Sequence, residues 1–160
     1  MTKYCVYIKL PPFVDQFLRH SLGCPVTFPS HSVENATLHC FTTRQPESES
    51  PDTGGSGLTA ISIPDSKSKP SAVYNHLTPR GKLAVAECCD LLFNRCLWNE
   101  LGDLNAVNCK TTTAVYAWCE RHGISIDYAD TIRQRYYRMR VAYAKRGIDL
   151  RRKTRVRVED

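Results

Sequence analysis

Two segments with helical periodicity flank Gly123, and this arrangement constrains the fold more than any other part of the sequence. The first segment runs from Thr111 to His122, where Thr111 or Thr112 can accept a hydrogen bond from a free N–H of the first turn. Glycine readily takes the left-handed conformation that ends a helix. The apolar residues of this segment share one face, which predicts a buried side: Val115, Trp118 and Cys119.

The second segment follows a short connection and ends at Gly147. Asp127 is placed to cap it, and Asp130 adds negative charge at the positive end of the helix dipole. At about 100° per residue, one stripe of the helix is apolar and aromatic: Ile132, Tyr136, Met139 and Tyr143. The opposite side contains Gln134, Tyr137, Arg138, Val141 and Lys145. Three arginines lie on the flanks between these two sides: Arg133, Arg135 and Arg140.

Positive charge is concentrated in this second segment and in the residues after it. Six basic residues and no acidic one occur from Arg133 to Arg146. Because like charges three or four residues apart on a helix are mildly unfavourable, an external partner is expected to compensate them. The net charge from Thr131 to Asp160 is +8, which leaves −2 for the rest of the chain. A basic segment on a slightly acidic body is typical of an element that binds a polyanion.

The helical pair resembles the helix-turn-helix families of DNA-binding proteins. In those families the turn carries a glycine, with a small residue four positions before it and apolar residues one and nine positions after it. The matching residues here are Gly123, Cys119, Ile124 and Ile132, whereas His122 stands where an apolar residue is usual. The amino-terminal half is also similar to that of uncharacterised bacterial proteins with an arginine-rich helical carboxyl-terminal part.

The charge pattern and the resemblance together imply nucleic-acid binding. Lys and Arg side chains would displace counterions from phosphates, which makes the affinity strongly salt-dependent. On a helix in the major groove, Gln134 can pair with adenine and Arg138 with guanine. The candidate nucleic-acid-binding residues are Arg133, Gln134, Arg135, Tyr137, Arg138, Arg140, Lys145, Arg146, Arg151, Arg152 and Lys153.

The amino-terminal part, residues 1–77, is predicted to be a small α+β unit. Residues 3–10 alternate like a strand with one better-buried face, and residues 58–63 form a second strand that can pair with it. Helices are expected over residues 13–23 and, after Ser32, on a side formed by Val33, Thr37, Cys40 and Phe41. Residues 44–57 are rich in proline, serine, glycine and acid, which predicts a mobile loop.

Thr78 and Pro79 begin the longest predicted helix, because a capping hydroxyl precedes a proline in the first helical position. Its apolar surface is wide, as in a central helix that is contacted on two sides. Residues 78–147 would then form a three-helix unit of the DNA-binding kind, followed by a basic tail over 148–160. The predicted fold class is α+β and mostly helical.

Other classes of protein find little support in the sequence. No apolar run approaches the roughly 20 residues needed to span a bilayer, so a cytoplasmic protein without membrane contact is expected. The eight cysteines lack C-x-x-C spacing and are interpreted as small apolar residues. The one weak metal candidate combines Cys24, His31, His39 and Cys40. No phosphate-binding loop or nucleophile motif occurs, so neither catalysis nor a cofactor is expected.

The resulting hypothesis is a bacterial-type DNA-binding protein that recognises double-stranded DNA, as a transcriptional regulator or an accessory factor of a mobile element. Its amino-terminal unit would serve partner binding or formation of a homodimer. The main alternative is a non-enzymatic adaptor whose basic helix binds an acidic protein. RNA binding is a third alternative, which aromatic residues on an exposed sheet would favour.

Overall fold

A computed structural model of the protein describes residues 4–105 and 110–147. These residues form helices and short antiparallel sheets, which confirms the predicted α+β, mostly helical fold class. Packing divides the chain into a first unit, Met1–Leu92, and a second unit, Phe93–Asp160. None of the helices in the described ranges combines the length and apolar character that crossing a membrane requires.

A small sheet at the centre of the first unit joins β1 (Cys5–Ile8) and β3 (Thr59–Ser62). The strands are antiparallel with Val6 opposite Ile61, so the predicted pairing is confirmed. Alternate residues of both strands are buried, as expected for a sheet with one covered face: Val6, Ile8, Thr59 and Ile61. Val26 extends the sheet through an isolated parallel bridge to Ile61.

The first unit also contains two helices, and the first of them confirms the helix predicted over residues 13–23. Helix α1 spans Pro12–Leu22 and ends at Gly23, whose φ of 84° is the positive value that glycine tolerates best. Proline in the first turn costs no hydrogen bond, because that N–H lacks a helical partner in any case. The apolar side chains of α1 are buried at helical spacing: Phe13, Val14, Phe17 and Leu18.

Helix α2 (Val33–Phe41) begins where the sequence predicted but buries a different face. Ser32 caps it, since its hydroxyl accepts a hydrogen bond from the Asn35 N–H at 3.2 Å. The predicted side was Val33, Thr37, Cys40 and Phe41. That prediction was wrong, because Glu34 and Leu38 are the buried residues and Val33 is 66% exposed. Leu38 fixes the orientation, and the buried Glu34 shares its face one turn earlier.

The segment after α2 contains a second two-stranded sheet that the sequence did not predict. β2 (Thr42–Thr43) pairs antiparallel with β4 (His76–Leu77), and each strand is too short to show a period. Residues 44–57 contain neither helix nor strand, in agreement with the loop prediction, while the mobility of that loop stays a prediction. Asp52 in this loop forms a 2.7 Å ion pair with Lys82.

Helix α3 (Pro79–Asn105) is the longest element and confirms the helix predicted to start at Thr78. The Thr78 hydroxyl accepts a hydrogen bond from the Gly81 N–H at 3.2 Å, so it acts as the expected cap. Every fourth residue is buried: Val85, Cys89, Phe93, Leu97 and Leu101. This stripe turns by roughly 40° at each step around the helix axis. The five positions together cover about 160° of the helix circumference. Leu83 lies off this path and is 73% exposed, whereas Ala86, Cys88, Leu92 and Cys96 are partly buried.

The second unit contains α4 (Thr111–Arg121), a 3₁₀ turn (Ile126–Tyr128) and α5 (Ala129–Ala144). The predicted buried face of α4 is confirmed, and the ring of Trp118 meets that of Phe93 edge-on at a centroid distance of 5.3 Å. Cys119 is also buried, and burial raises the pKa of its thiol to about 11, which keeps it protonated at neutral pH.

Both capping assignments in this unit were wrong. Lys110 precedes α4 without a side-chain cap, so Thr111 is already inside the first turn. Asp127 lies within the 3₁₀ turn, where its N–H donates to the Ser125 hydroxyl at 3.4 Å. Tyr128 is therefore the residue that precedes α5. The extra turn of 3₁₀ helix shifts the start of α5 beyond the position inferred from the acidic residue.

Candidate nucleic-acid interface

The turn between α4 and the 3₁₀ helix is held by backbone conformation and by one polar pair. Gly123 has a φ of 66°, a left-handed value that side chains with a Cβ rarely adopt. The Ile124 N–H donates to the Cys119 carbonyl at 2.9 Å, which closes the turn. His122 is held by Glu100, with 2.7 Å between Nε2 and the carboxylate. His122 is thus a polar residue accommodated at the end of α4 through its contact with Glu100.

One side of α5 packs into the second unit only along its first half. Ile132 and Tyr136 are 0% and 2% exposed, whereas Tyr143 on the same stripe is 44% exposed. Met139, also on this stripe, is partly buried. The predicted stripe is thus buried at its amino-terminal end alone, and every described residue from Val141 onward is exposed. The last turn of α5 consequently projects from the core of its unit.

The opposite side of α5 is exposed along its whole length. Tyr137 is 40% and Val141 54% exposed, and the polar residues beside them are also exposed. Their spacing of three and four residues places them in one continuous strip. We call this strip the outer face of α5, and it comprises Thr131, Gln134, Tyr137, Arg138, Val141 and Lys145.

The basic residues of α5 fall into two groups. Those of the first group contact other side chains of the same unit. Arg133 pairs with Asp130, and the Arg135 guanidinium donates to the Asn94 side-chain oxygen at 3.2 Å. Arg135 also lies 5.6 Å from the centre of the Phe93 ring. Arg135 therefore contributes to the packing of α5 against α3, whereas Arg133 is paired within α5 itself.

The second group, which is more available to a partner, comprises Arg138, Arg140, Lys145 and Arg146. The Arg140 guanidinium lies 5.8 Å from each of the rings of Tyr136 and Tyr137, which are cation–π distances. Arg138, Lys145 and Arg146 are exposed and form no ion pair within the described part of the chain. Because Asp130 is the sole acid of α5 and lies at its start, positive charge dominates the carboxyl half of the helix.

The amino end of α5 differs in charge from its carboxyl end. Besides Arg133, Asp130 also accepts a hydrogen bond from the Gln134 amide at 3.2 Å. One Asp130 carboxylate thus holds two of the sequence-predicted binding residues in place. The remaining predicted residues Arg151, Arg152 and Lys153, and the basic tail 148–160 as a whole, lie outside the described residues.

An open cleft of about 170 Å³ separates the amino-terminal turns of α4 and α5. The Asp130–Arg133 pair lies at this cleft, together with Thr112, Val115, Tyr116 and Ala129. Sequence patterns did not reveal it, because its walls come from two helices that each show an ordinary period. The cleft mixes hydroxyl, aromatic and charged groups.

The structure offers no metal-binding cluster over residues 4–105 and 110–147. His39 belongs to the four residues that the sequence suggested as a weak metal candidate, and its ring nitrogen lies 3.1 Å from the Ser66 hydroxyl. Comparisons with known proteins found no family model, no curated protein and no solved structure that matches this chain.

Proposed function

We propose that the protein binds double-stranded DNA through the outer face of α5, as a transcriptional regulator or an accessory factor of a mobile element. The observation that carries this proposal is the set of exposed cations on and beside that face, Arg138, Lys145 and Arg146, which have no acidic partner in the described part of the chain. Unpaired cations on one helix are compensated most effectively by a polyanion such as the phosphate backbone.

The shape of the outer face suits a groove of duplex DNA. The major groove is about 12 Å wide and admits one α-helix with its side chains. Gln134 and Arg138 are four residues apart on the exposed strip, so both can reach the edges of neighbouring base pairs. Glutamine pairs with adenine and arginine with guanine, while the apolar Val141 can contact a thymine methyl group.

The carboxyl end of α5 would supply the contacts to phosphate. Lys145 and Arg146 follow the groove-facing residues by one to two turns and are exposed. Each phosphate contact releases condensed counterions, so the logarithm of the binding constant falls linearly with the logarithm of the salt concentration. The affinity would consequently depend steeply on salt, whatever the sequence of the duplex.

The test is a salt titration of binding to duplex DNA, measured by fluorescence anisotropy. The variant Arg138→Ala/Lys145→Ala should bind more weakly, and its salt dependence should become shallower by about 0.9 for each phosphate that the variant no longer neutralises. The matched control is Lys9→Ala/Lys67→Ala, which removes two exposed lysines from the first unit and changes the net charge equally. The control should leave the slope unchanged.

Two outcomes would refute the proposal. The wild type showing no binding to duplex DNA at low salt would eliminate DNA as the partner. An equal effect of the control variant would mean that net charge alone governs binding and that the outer face is not the interface.

An acidic protein is the second candidate partner. The exposure of Tyr137 and Val141 beside the cations favours it, because aromatic and apolar groups beside arginine are common in protein interfaces. If the partner is an acidic protein, the wild type should capture it and Arg138→Ala/Lys145→Ala should not. Neither the wild type nor the variant should then bind oligonucleotides.

A further inference from the structure

Three aromatic rings meet where the last turn of α5 leaves the core of the second unit. The Trp98 ring on α3 lies 5.4 Å from that of Tyr136 and 5.7 Å from that of Tyr143. Tyr136 is buried and forms the floor of this cluster, whereas Tyr143 is 44% exposed and Trp98 is half-buried. We call Trp98, Tyr136 and Tyr143 the aromatic platform.

Cations surround the exposed edge of this platform. Arg140 and Arg146 flank Tyr143 at three positions before and after it, and both follow the last acidic residue of α5. Arg140 already lies at cation–π distance from Tyr136. An aromatic surface bordered by positive charge matches the two parts of a nucleotide, the flat base and the anionic phosphate.

We propose that the aromatic platform stacks an unpaired base of a nucleic acid whose duplex part lies on the outer face of α5. The inference rests on the proposed function in that it requires a nucleic acid at this helix. Stacking on Tyr143 needs no hydrogen-bond readout, since every base offers a flat face. A duplex with a single-stranded tail or an unpaired nucleotide is therefore the preferred ligand.

A second copy of the chain is a less suitable occupant of the same surface. Two copies that met at Tyr143 would bring Arg140 and Arg146 of each chain together, and like charges at an interface disfavour association. The charge around the platform thus selects an anion over another copy of this protein.

The experiment compares a blunt duplex with the same duplex bearing a short single-stranded tail, with affinity measured by anisotropy and the tryptophan emission recorded in parallel. The wild type should bind the tailed duplex at least about fivefold more tightly, as expected for one stacked base. Trp98 should be quenched by the tailed ligand, while Trp118, which is 1% exposed, should not contribute.

Two variants locate the effect. Tyr143→Ala should abolish the preference for the tail and leave binding to the blunt duplex unchanged. The matched control is Tyr116→Ala, which removes a tyrosine of the same unit that is 46% exposed but lies at the cleft between α4 and α5. This control should retain the full preference.

The failure of this inference can be told apart from the failure of the proposed function. If the wild type binds both duplexes equally, or if Tyr116→Ala removes the preference as much as Tyr143→Ala, the platform does not stack a base, and duplex binding still stands. If only single-stranded ligands bind and depend on Tyr143, the platform stands and the duplex proposal fails. Conversion of a dimer to a monomer by Tyr143→Ala in sedimentation would overturn the inference, because a second copy would then cover the platform.

Discussion

At the scale of single residues, Lys69 holds together the carboxyl end of α2. Its ammonium group donates to the carbonyl oxygens of His39 at 2.6 Å, Cys40 at 3.4 Å and Thr42 at 3.1 Å. The last carbonyls of a helix lack partners within the helix, and a cation near them also interacts favourably with the helix dipole. Lys69 is half-buried, so water competes less for these contacts than at the surface.

We predict that Lys69→Met lowers the free energy of unfolding by about 1.5–3 kcal/mol, the range for hydrogen bonds to a charged group. Methionine keeps most of the aliphatic stem but removes the charge and the donors. The measurement is urea denaturation followed by circular dichroism. Lys67→Met is the control, because Lys67 is exposed and its replacement should change stability by no more than about 0.5 kcal/mol. Equal stability of the two variants would show that the Lys69 contacts are not stabilising.

Contacts of this kind lie beyond sequence patterns, because they join residues far apart in the chain. Lys69 lies in a segment without helix or strand, yet its partners lie up to 30 positions away. Arg135 was expected to contact nucleic acid, but its amide partner Asn94 is 41 positions distant. Charge runs predict that a helix is basic, but not which of its cations the fold itself uses.

At the scale of elements, periodicity predicted the helices and the main sheet well. The four-residue spacing of hydrophobic side chains is strong in α1, α4 and the first half of α5, and the residues that it selects are buried. Periodicity failed for α2, where Leu38 and Glu34 are buried while Val33 and Cys40 of the expected side are exposed. It also missed β2 and β4, since strands of two residues carry no period.

Helical periodicity also predicted which side of α5 forms the candidate interface. A 3.6-residue period selected Gln134, Tyr137, Arg138, Val141 and Lys145 as one side of α5, and the structure exposes all five. The aromatic platform was not predictable, because Trp98 and Tyr143 belong to different helices. Its exposure depends on how far α5 extends beyond the core of its unit, which local sequence does not encode.

The buried stripe of α3 leads to a prediction about core packing. Leu97→Ala should lower the free energy of unfolding by about 2–5 kcal/mol, because Leu97 is fully buried and truncation leaves a cavity. Leu83→Ala is the matched control on the same helix, because Leu83 is 73% exposed. Leucine and alanine both have high helix propensity, so the control changes the helix itself little. Its effect should stay within about 0.5 kcal/mol in thermal or urea denaturation. A large effect of Leu83→Ala would mean that a partner covers this leucine.

At the scale of the whole molecule, α3 is the element that both units share. Val85 and Cys89 belong to the buried residues of the first unit, and Phe93, Leu97 and Leu101 to those of the second. Helix formation is cooperative along the backbone, so loss of helical structure in one part of α3 weakens the next turn. The two units are therefore expected to unfold together.

Separate probes for the two units make this expectation testable. Both tryptophans, Trp98 and Trp118, lie in the second unit. Cys89 reports on the first unit, because burial raises the pKa of its thiol to about 12 and protects it from alkylation until it is exposed. In urea, the change in tryptophan emission and the labelling of Cys89 should share one midpoint in the wild type.

Leu91→Pro tests whether α3 transmits this coupling. Leu91 is 60% exposed, so proline there removes little packing, but it breaks the backbone hydrogen bond to the preceding turn and costs about 3 kcal/mol. Both midpoints should fall together, whereas Leu91→Ala should leave them almost unchanged, because it retains the helical backbone. A variant in which the Cys89 midpoint falls while the tryptophan midpoint stays in place would show that the units fold independently. In that case the helical hairpin that carries the outer face of α5 would not depend on the first unit for its stability.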